Sequence, residues 1–414
     1  MSRNSHLYAT VLALLLTILS FSSCKKQSGS TKTDPEPVKV PEKTATLTTS
    51  QVIDITTTNA VGGGKLSSKG SSNVTEQGVC WATKPNPTIN DKKAGVYKVS
   101  GSGDFTSQIS GLTASTKYYV RAFAVNKAGI AYGDQVEFTS ADIADATFNF
   151  EPLYMVGSTV AAADVEVTTD GGNAISERGI CWGTSTKPTV NGSKVKDRGT
   201  GTGKFRATLS GLSEKTNYYA RAYAINAKGV SYSAEVTFKT IAKGNVTYTF
   251  NKSANPTAEE LEAYGRLQIA IDSATWYLNN YTSATKHVYL NLVDGTPTAD
   301  ANNQGWMRFG TNPGFQNIRT MLHELNHTLG TGTSNWWWSH KENGKLQAPS
   351  VTAILRLIDK DNTVMLNCDD MHWWPYGLNQ NSEVSSSWDY VYNAIIIEAM
   401  RKDGLTEFSG PYQP

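Results

Sequence analysis

The sequence has little cysteine, no cluster of charge and few long apolar runs, and each shortage excludes a class of protein. Four cysteines in 414 residues do not make a disulfide framework, and Cys80 and Cys181 hold matching places in a repeat, which argues against a bond between them. The 38 basic and 36 acidic residues nearly balance, with a net charge of +2. Because the basic residues are scattered, we expect no nucleic-acid partner.

The longest apolar run lies near the amino terminus and predicts an export signal. It covers residues 12–19, too few for a membrane helix, which needs roughly 20 apolar residues. The tripeptide Ser-Ser-Cys that follows resembles the cleavage box of bacterial lipoproteins, whose cysteine is lipidated. We therefore predict a signal peptide over residues 1–24, a lipid anchor at Cys24, and a place in the bacterial cell envelope, on the outer membrane facing the periplasm or the surface. Residues 25–43 predict a flexible tether.

An internal repeat with a period of about 100 residues follows the tether. Residues 76–81 (EQGVCW) match residues 177–182 (ERGICW), and residues 111–122 (GLTASTKYYVRA) match residues 211–222 (GLSEKTNYYARA). Short alternating apolar runs separated by Gly and Asn turns are typical of antiparallel sandwiches. Both copies are therefore predicted to be all-β.

The repeat resembles fibronectin type III modules. The resemblance rests on the tryptophan early in each unit and on a leucine six residues before Tyr118 and Tyr218, a spacing similar to a tyrosine corner. It implies one module over residues 44–142 and a second over residues 143–242. Since neither carries a catalytic constellation, we assign them a spacer or glycan-contact role.

The remaining sequence predicts an α+β domain over residues 251–414. Its apolar spacing predicts three helices and two short strands. The helices are expected over residues 258–281, 316–329 and about 387–402, and the strands over residues 287–293 and 305–310. The chain is thus predicted to be multidomain, with two all-β sandwiches followed by an α+β domain.

The motif His323-Glu324-Leu325-Asn326-His327 lies on the second predicted helix. Residues four apart share a helix face, so His323 and His327 can direct both imidazoles at one ion, with Glu324 beside them. Zn²⁺ accepts nitrogen ligands, and a catalytic zinc site keeps one position for water, for which Glu324 is the candidate general base. Residues 323–330, with the pattern HExxHxxG, resemble the zincin metallopeptidases, and Gly330 matches the glycine of the metzincin branch.

The third metal ligand stays open between three residues. Thr333 stands where the metzincin pattern has its third histidine. The candidates are His340, His372 and Glu383, the last similar to the downstream glutamate of the gluzincin branch. We favour His372, because the segment that it opens, HWWPYGLN, resembles a signature of secreted bacterial zincin-like proteins.

Aromatic and sulfur-containing residues surround the predicted site. Such aromatic rings stack on sugars, which suits a glycoprotein substrate, or they fill a domain floor. We assign substrate binding to Trp336, Trp337, Trp373 and Trp374. Tyr376 is the candidate donor of a hydrogen bond to the developing oxyanion, and Met365 or Met371 is the candidate for the hydrophobic base under a metzincin metal.

The combined prediction is a monomeric, envelope-anchored zinc metallopeptidase that hydrolyses extracellular proteins or glycoproteins. Two alternatives stay open. One is a glycan-binding surface lipoprotein in which the tryptophan loops are functional and the metal is structural or absent. The other is a zinc hydrolase of a different amide or an ester.

Overall fold

The computed structural model describes residues 41–97 and 101–413. The predicted signal peptide, its Cys24 and most of the tether lie outside the described residues. Within the described part of the chain, no helix combines the length and apolar character needed to cross a membrane.

Each repeat unit folds as two antiparallel sheets. The strands of module 1 are β1 (Thr46–Thr49), β2 (Asn59–Ser68), β3 (Glu76–Ala82), β4 (Lys92–Tyr97), β5 (Gly103–Ser110), β6 (Lys117–Asn126), β7 (Gly129–Tyr132) and β8 (Val136–Thr139). One sheet has the order β1-β2-β5, and the other has the order β4-β3-β6-β7 with β8 paired to β6.

Module 2 repeats this architecture. Its strands are β9 (Thr147–Phe150), β10 (Met155–Val156), β11 (Val160–Thr169), β12 (Glu177–Gly183), β13 (Ser193–Lys196), β14 (Gly203–Ser210), β15 (Asn217–Asn226), β16 (Gly229–Tyr232) and β17 (Val236–Lys239). One sheet has the order β10-β11-β14 with β9 paired to β11, and the other has the order β13-β12-β15-β16 with β17 paired to β15. Two all-β modules in tandem confirm the prediction at the level of β-sandwich architecture.

The side chains common to the two repeats hold corresponding places in both sandwiches. Tyr118 accepts a hydrogen bond on its hydroxyl from the Thr113 amide at 2.9 Å, and Tyr218 accepts one from the Ser213 amide at 2.9 Å. The described cysteines, Cys80, Cys181 and Cys368, are free and buried.

The carboxy-terminal domain begins earlier than predicted, because residues 245–251 form a strand of its sheet. The strands are β18 (Asn245–Asn251), β19 (Thr285–Leu292), β20 (Ala299–Ala301), β21 (Trp306–Phe309), β22 (Lys341–Glu342), β23 (Lys345–Leu346), β24 (Asn367–Cys368) and β25 (Trp373–Trp374). The helices are α1 (Ala258–Tyr281), α2 (Ile318–Leu329), α3 (Asn335–His340), α4 (Pro349–Asp359) and α5 (Trp388–Lys402), with 3₁₀ turns at Pro313–Phe315 and Asn381–Glu383.

The main sheet of this domain positions the motif helix. Its order is β18-β19-β21-β20, with β18, β19 and β21 parallel and β20 antiparallel at the edge. Alternate residues of β19 and β21, such as Leu290 and Met307, are fully buried in one core with α1, α2 and α5. Helix α2 therefore lies against the sheet, next to the edge strand β20.

Module 2 packs directly onto the carboxy-terminal domain. Met155 at the start of the second sandwich belongs to the core of that domain. The Asp164 carboxylate binds Arg206 at 2.6 and 2.8 Å, while the same guanidinium donates to the Tyr392 hydroxyl at 2.7 Å and lies 4.7 Å from the Trp388 ring. Module 2 and the carboxy-terminal domain therefore share an interface. A module that served only as a spacer would not need such an interface.

Candidate metal centre

Helix α2 carries the motif and is fixed at both ends. The Asn317 side chain accepts a hydrogen bond from the Thr320 amide at the first turn. Gly330 ends the helix with φ 118°, a left-handed conformation that glycine adopts without a steric penalty. The four-residue spacing places the His323 and His327 rings on one face, with centroids 4.7 Å apart.

Backbone carbonyls orient both of these histidines. His323 donates from Nδ1 to the Gly377 carbonyl at 2.9 Å, and His327 donates from Nδ1 to the Thr331 carbonyl at 2.9 Å. Since each ring holds its proton on Nδ1, the two Nε2 atoms are bare acceptors, and they face each other at 3.2 Å. A cation between them would remove the repulsion of their lone pairs.

His372 completes the cluster from a loop. The described residues contain one group of three potential ligands, His323, His327 and His372, with a ligand atom of each within 4.8 Å of the others. The His372 ring lies parallel to that of His323 at 5.4 Å. Its Nδ1 is 3.4 Å from the Asp369 carboxylate, which leaves Nε2 free, and carboxylate partners of this kind commonly orient metal-binding histidines.

Burial sets the protonation of the cluster. It lowers the pKa of His323 to about 3, with the neighbouring His327 ring as a further cause, and it also lowers the pKa of His327. Both rings are thus neutral at physiological pH, the form that binds metal. Burial raises the pKa of Glu324 to about 8, helped by the negative charge of Asp300 and opposed by Arg319.

The arrangement fits a zinc ion. Two nitrogens bound to one tetrahedral zinc at about 2.0–2.1 Å lie roughly 3.3 Å apart, close to the 3.2 Å between the two Nε2 atoms. The Glu324 Oε2 atom is buried and has no hydrogen-bond partner, although buried carboxylate oxygens normally have one. Three imidazoles beside the Glu324 carboxylate are a donor set that a zinc ion would fit.

Two clefts meet at the histidines. The wide cleft has a volume of about 670 Å³ and the narrow cleft a volume of about 290 Å³. The wide cleft is lined by His323, Asp369, His372, Trp374, Pro375, Asn379, Gln380 and Glu383. The narrow cleft contains Glu324 and all three histidines, and it is bounded by residues 298–301 at the sheet edge, by Phe315, Arg319 and Thr320, and by Met371 and Asn379.

The other candidates for the third ligand lie outside the cluster. His340 stacks on the Trp336 ring at 4.4 Å and donates from Nδ1 to the Trp336 carbonyl at 2.9 Å. Glu383 lines the wide cleft, but its carboxylate accepts hydrogen bonds from the Asn379 amide at 3.1 Å and from its side chain at 2.9 Å. Of the three candidates, the fold brings only His372 to the motif histidines.

The assignment of the tryptophans to substrate binding is wrong for two of the four. Trp337 is fully buried and Trp373 is 2% exposed, so their rings fill the core and cannot stack on a substrate. Trp336 is half-buried, and its Nε1 donates to the Asp403 carbonyl at 2.9 Å. Trp374 alone is exposed and lines the wide cleft.

Two further assignments also need correction. The Tyr376 hydroxyl donates to the Asp359 carboxylate at 2.8 Å, and Tyr376 lines neither cleft, so this structure does not place it as an oxyanion donor. Met371 is 40% exposed at the mouth of the narrow cleft, unlike a buried hydrophobic base, and Met365 lines neither cleft.

Sequence reasoning missed three residues near the cluster. Arg319 precedes His323 by one helical turn and lines the narrow cleft. Asp300 lines the same cleft from β20, and Asp369 holds the loop of His372 by accepting hydrogen bonds from the Met371 and His372 amides at 2.8 and 2.6 Å. Of the three, only Arg319 could have been found from the sequence, because it lies four residues before His323 on the same helix. The positions of Asp300 and Asp369 near the cluster depend on tertiary structure.

No family model and no curated protein matches this chain. Similar solved structures include the sensor domain of the anti-sigma factor RsgI4 in Pseudobacteroides cellulosolvens, 18% identical over 24% of this chain and 77% of that one, with a TM-score of 0.21. Another is a crystal structure of domains from titin, 19% identical over 47% of this chain and 66% of that one, also with a TM-score of 0.21. At these TM-scores neither likeness bears on function.

Proposed function

We propose that this chain is a zinc-dependent hydrolase of peptide bonds, with a zincin-like catalytic domain. The observation that carries the proposal is the convergence of His323, His327 and His372 beside the unpaired buried carboxylate of Glu324. Attachment to the cell envelope through Cys24, with extracellular proteins or glycoproteins as substrates, is part of the same proposal.

The residues of the site divide the chemistry between them. Zinc held by the three histidines would supply a Lewis acid that polarises the scissile carbonyl and makes water more acidic. Glu324 takes the proton of the attacking water and passes it to the leaving nitrogen. A cation held beside Glu324 favours its carboxylate form, which opposes the rise of its pKa through burial.

The edge of the sheet supports a peptide as the substrate. Thr298 accepts a hydrogen bond from the Gly310 amide and Asn302 donates one to the Trp306 carbonyl, so both face β21. The backbone groups of the intervening Ala299 and Ala301 therefore face the opposite side, where no described strand pairs with β20. An extended peptide can add to such an edge beside the histidines.

Zinc content and casein hydrolysis by the full chain test the proposal. We expect about one zinc per chain in the wild type and in Glu324→Ala. Hydrolysis by Glu324→Ala should fall by at least about 100-fold, because the water loses its general base. A zinc-free wild type after zinc supplementation, or full activity of Glu324→Ala, would contradict the proposal.

A matched pair of histidine variants tests the third ligand. His372→Ala should lose most of its bound zinc, since two imidazoles remain. His340→Ala is the control, because the ring of His340 contacts Trp336 outside the cluster, and we expect its zinc content to equal that of the wild type. Normal zinc binding by His372→Ala would remove that residue from the site.

A further inference from the structure

Arg319 is a buried cation that the proposed chemistry does not use. It is only 7% exposed, and its guanidinium donates to the Leu378 carbonyl at 2.7 Å and to the Thr320 hydroxyl at 2.8 Å. Its Nε atom has no hydrogen-bond partner, and it forms no ion pair within the described residues. A buried guanidinium with no carboxylate in direct contact is costly, and an anionic ligand would offset that cost.

The carboxylates around Arg319 do not bond to it directly. Asp300, on the same cleft, is bound by Arg308 through two hydrogen bonds of 2.8 and 2.7 Å. Glu383 and Glu324 act on the charge of Arg319 through space, but the Glu383 carboxylate accepts hydrogen bonds from Asn379 and Glu324 makes no hydrogen bond through Oε2. Arg319 therefore has no directly bonded carboxylate among the described residues, and an anionic ligand of the narrow cleft can pair with it.

The position of Arg319 limits where an anionic group bound to it can lie. It precedes His323 by four residues on α2, a rise of about 6 Å along the helix axis. An extended chain covers that distance in about two residues. An anion bound to Arg319 thus lies within two residues of a peptide bond held at the three histidines.

The charges of the cleft favour a carboxylate as that anion. A guanidinium binds a carboxylate in a planar, two-bonded geometry. A doubly charged phosphate would also meet the Asp300 carboxylate on the wall of the same cleft, and like charges repel strongly where water is scarce. A singly charged group balances Arg319 with less repulsion.

We propose that Arg319 selects substrates that carry a carboxylate within two residues of the scissile peptide bond, as a free carboxy terminus or an acidic side chain. This inference rests on the proposed function and names the substrate class of that site. Arg319 is then a specificity residue in contact with the substrate.

Paired small-molecule probes test this on the zinc-loaded full chain. The probes are 3-mercaptopropanoate and 3-mercaptopropanamide, which share a thiol for the metal and differ in carrying a carboxylate or an amide. Calorimetric titration should show the acid binding the wild type roughly tenfold or more tightly than the amide, as expected for a charge-assisted hydrogen bond. The measured quantity is this affinity ratio, which does not depend on the fraction of folded protein.

Three variants define the outcome. Arg319→Gln should bring the ratio close to one, and Arg319→Lys should restore part of it. Arg266→Gln is the matched control, because Arg266 lies on α1, donates to Gln316 and lines neither cleft, so its ratio should stay at the wild-type value. Should Arg319→Gln not fold, the wild-type and Arg319→Lys ratios still decide the question.

Peptide pairs then separate the two sources of the carboxylate. In one pair, a peptide with a free carboxy terminus is compared with the same peptide amidated. In the other pair, a peptide with Asp next to the cleaved bond is compared with one that has Asn there. The value of kcat/KM is measured for each peptide. A zinc-loaded wild type that binds both thiol probes equally, or an Arg319→Gln variant that keeps the acid preference, overturns the inference and leaves the proposed function standing. Failure to bind zinc would instead remove the proposed function and this inference with it.

Discussion

Single side chains near the candidate site differ in role mainly through their burial. Trp373 and Trp374 are neighbours in sequence, yet the first is 2% and the second 41% exposed, because successive side chains of the short strand β25 point to opposite faces. One ring therefore stabilises the core and the other lines the wide cleft. Residue type alone does not distinguish the two roles.

Burial also determines the properties of the two repeat cysteines, Cys80 and Cys181, and leads to a prediction about their reactivity. Burial raises the pKa of Cys80 and of Cys181 from 9.0 to about 11. At pH 8 only about one thiol in a thousand is then the reactive thiolate. In a Cys24→Ser chain, we expect Ellman's reagent to react far more slowly with the folded protein than with the chain unfolded in guanidinium chloride.

The sign of the accompanying pH effect follows from the raised pKa. The folded state holds each thiol proton more tightly than the unfolded state, whose thiols have the ordinary pKa. Their contribution to stability is therefore complete below pH 9 and is lost as the pH rises towards 11. Rapid labelling of the folded chain at pH 8 would contradict this account.

At the scale of elements, the conformation at the end of α2 affects the candidate metal site. Gly330 has φ 118°, and a Cβ there would lie 3.0 Å from the Leu405 side chain and 3.3 Å from that of Ser334. The turn that follows brings the Thr331 carbonyl to His327. Gly330→Ala should therefore lower the free energy of unfolding by about 1–3 kcal/mol and weaken zinc binding.

Gly265 provides the matched control for that substitution. It lies within α1, is exposed, and a Cβ there would meet no heavy atom within 4 Å. Gly265→Ala should raise the free energy of unfolding by about 0.5–1 kcal/mol, because alanine is the better helix former, with zinc affinity unchanged. Denaturant titration measures both variants, and equal effects of the two would show that Gly330 has no special conformational role.

At the scale of the whole molecule, module 2 and the carboxy-terminal domain share an interface that links their stabilities. Ser158 donates its amide to the Asn280 carbonyl at 2.7 Å, and the Thr159 hydroxyl donates to the Asn280 side chain at 2.7 Å. Arg206 adds a polar contact from the second sandwich to α5. We therefore expect these two units to unfold in one calorimetric transition.

Replacement of Arg206 tests this coupling. Arg206→Ala removes the Asp164 ion pair, the hydrogen bond to Tyr392 and the contact with Trp388, and should weaken the interface by about 1–3 kcal/mol, separating or broadening the transition. Lys117→Ala is the control, since its pair with Glu137 in module 1 is exposed on both sides and contributes little. Identical calorimetric traces for the wild type and Arg206→Ala would show that the units do not depend on this contact.

Local periodicity made much of the architecture predictable. The repeat of about 100 residues and its alternating runs predict two β-sandwiches, and the apolar spacing of residues 258–281 predicts α1 with the bounds observed. The strand at residues 245–251 was missed because it is short and lies next to a module boundary. Its parallel partner, β19, is distant in sequence, so no adjacent strand pattern indicates the pairing.

The sequence alone determined the part of the candidate site that depends on helix geometry, because His323, Glu324 and His327 are related by a spacing of 3.6 residues per turn. Tertiary structure decided the rest. His372 meets these residues from a loop, Trp337 and Trp373 enter the core, and Arg319 becomes a buried cation beside the cluster. These outcomes depend on which distant segments pack together, and packing across many residues leaves no local pattern in the chain.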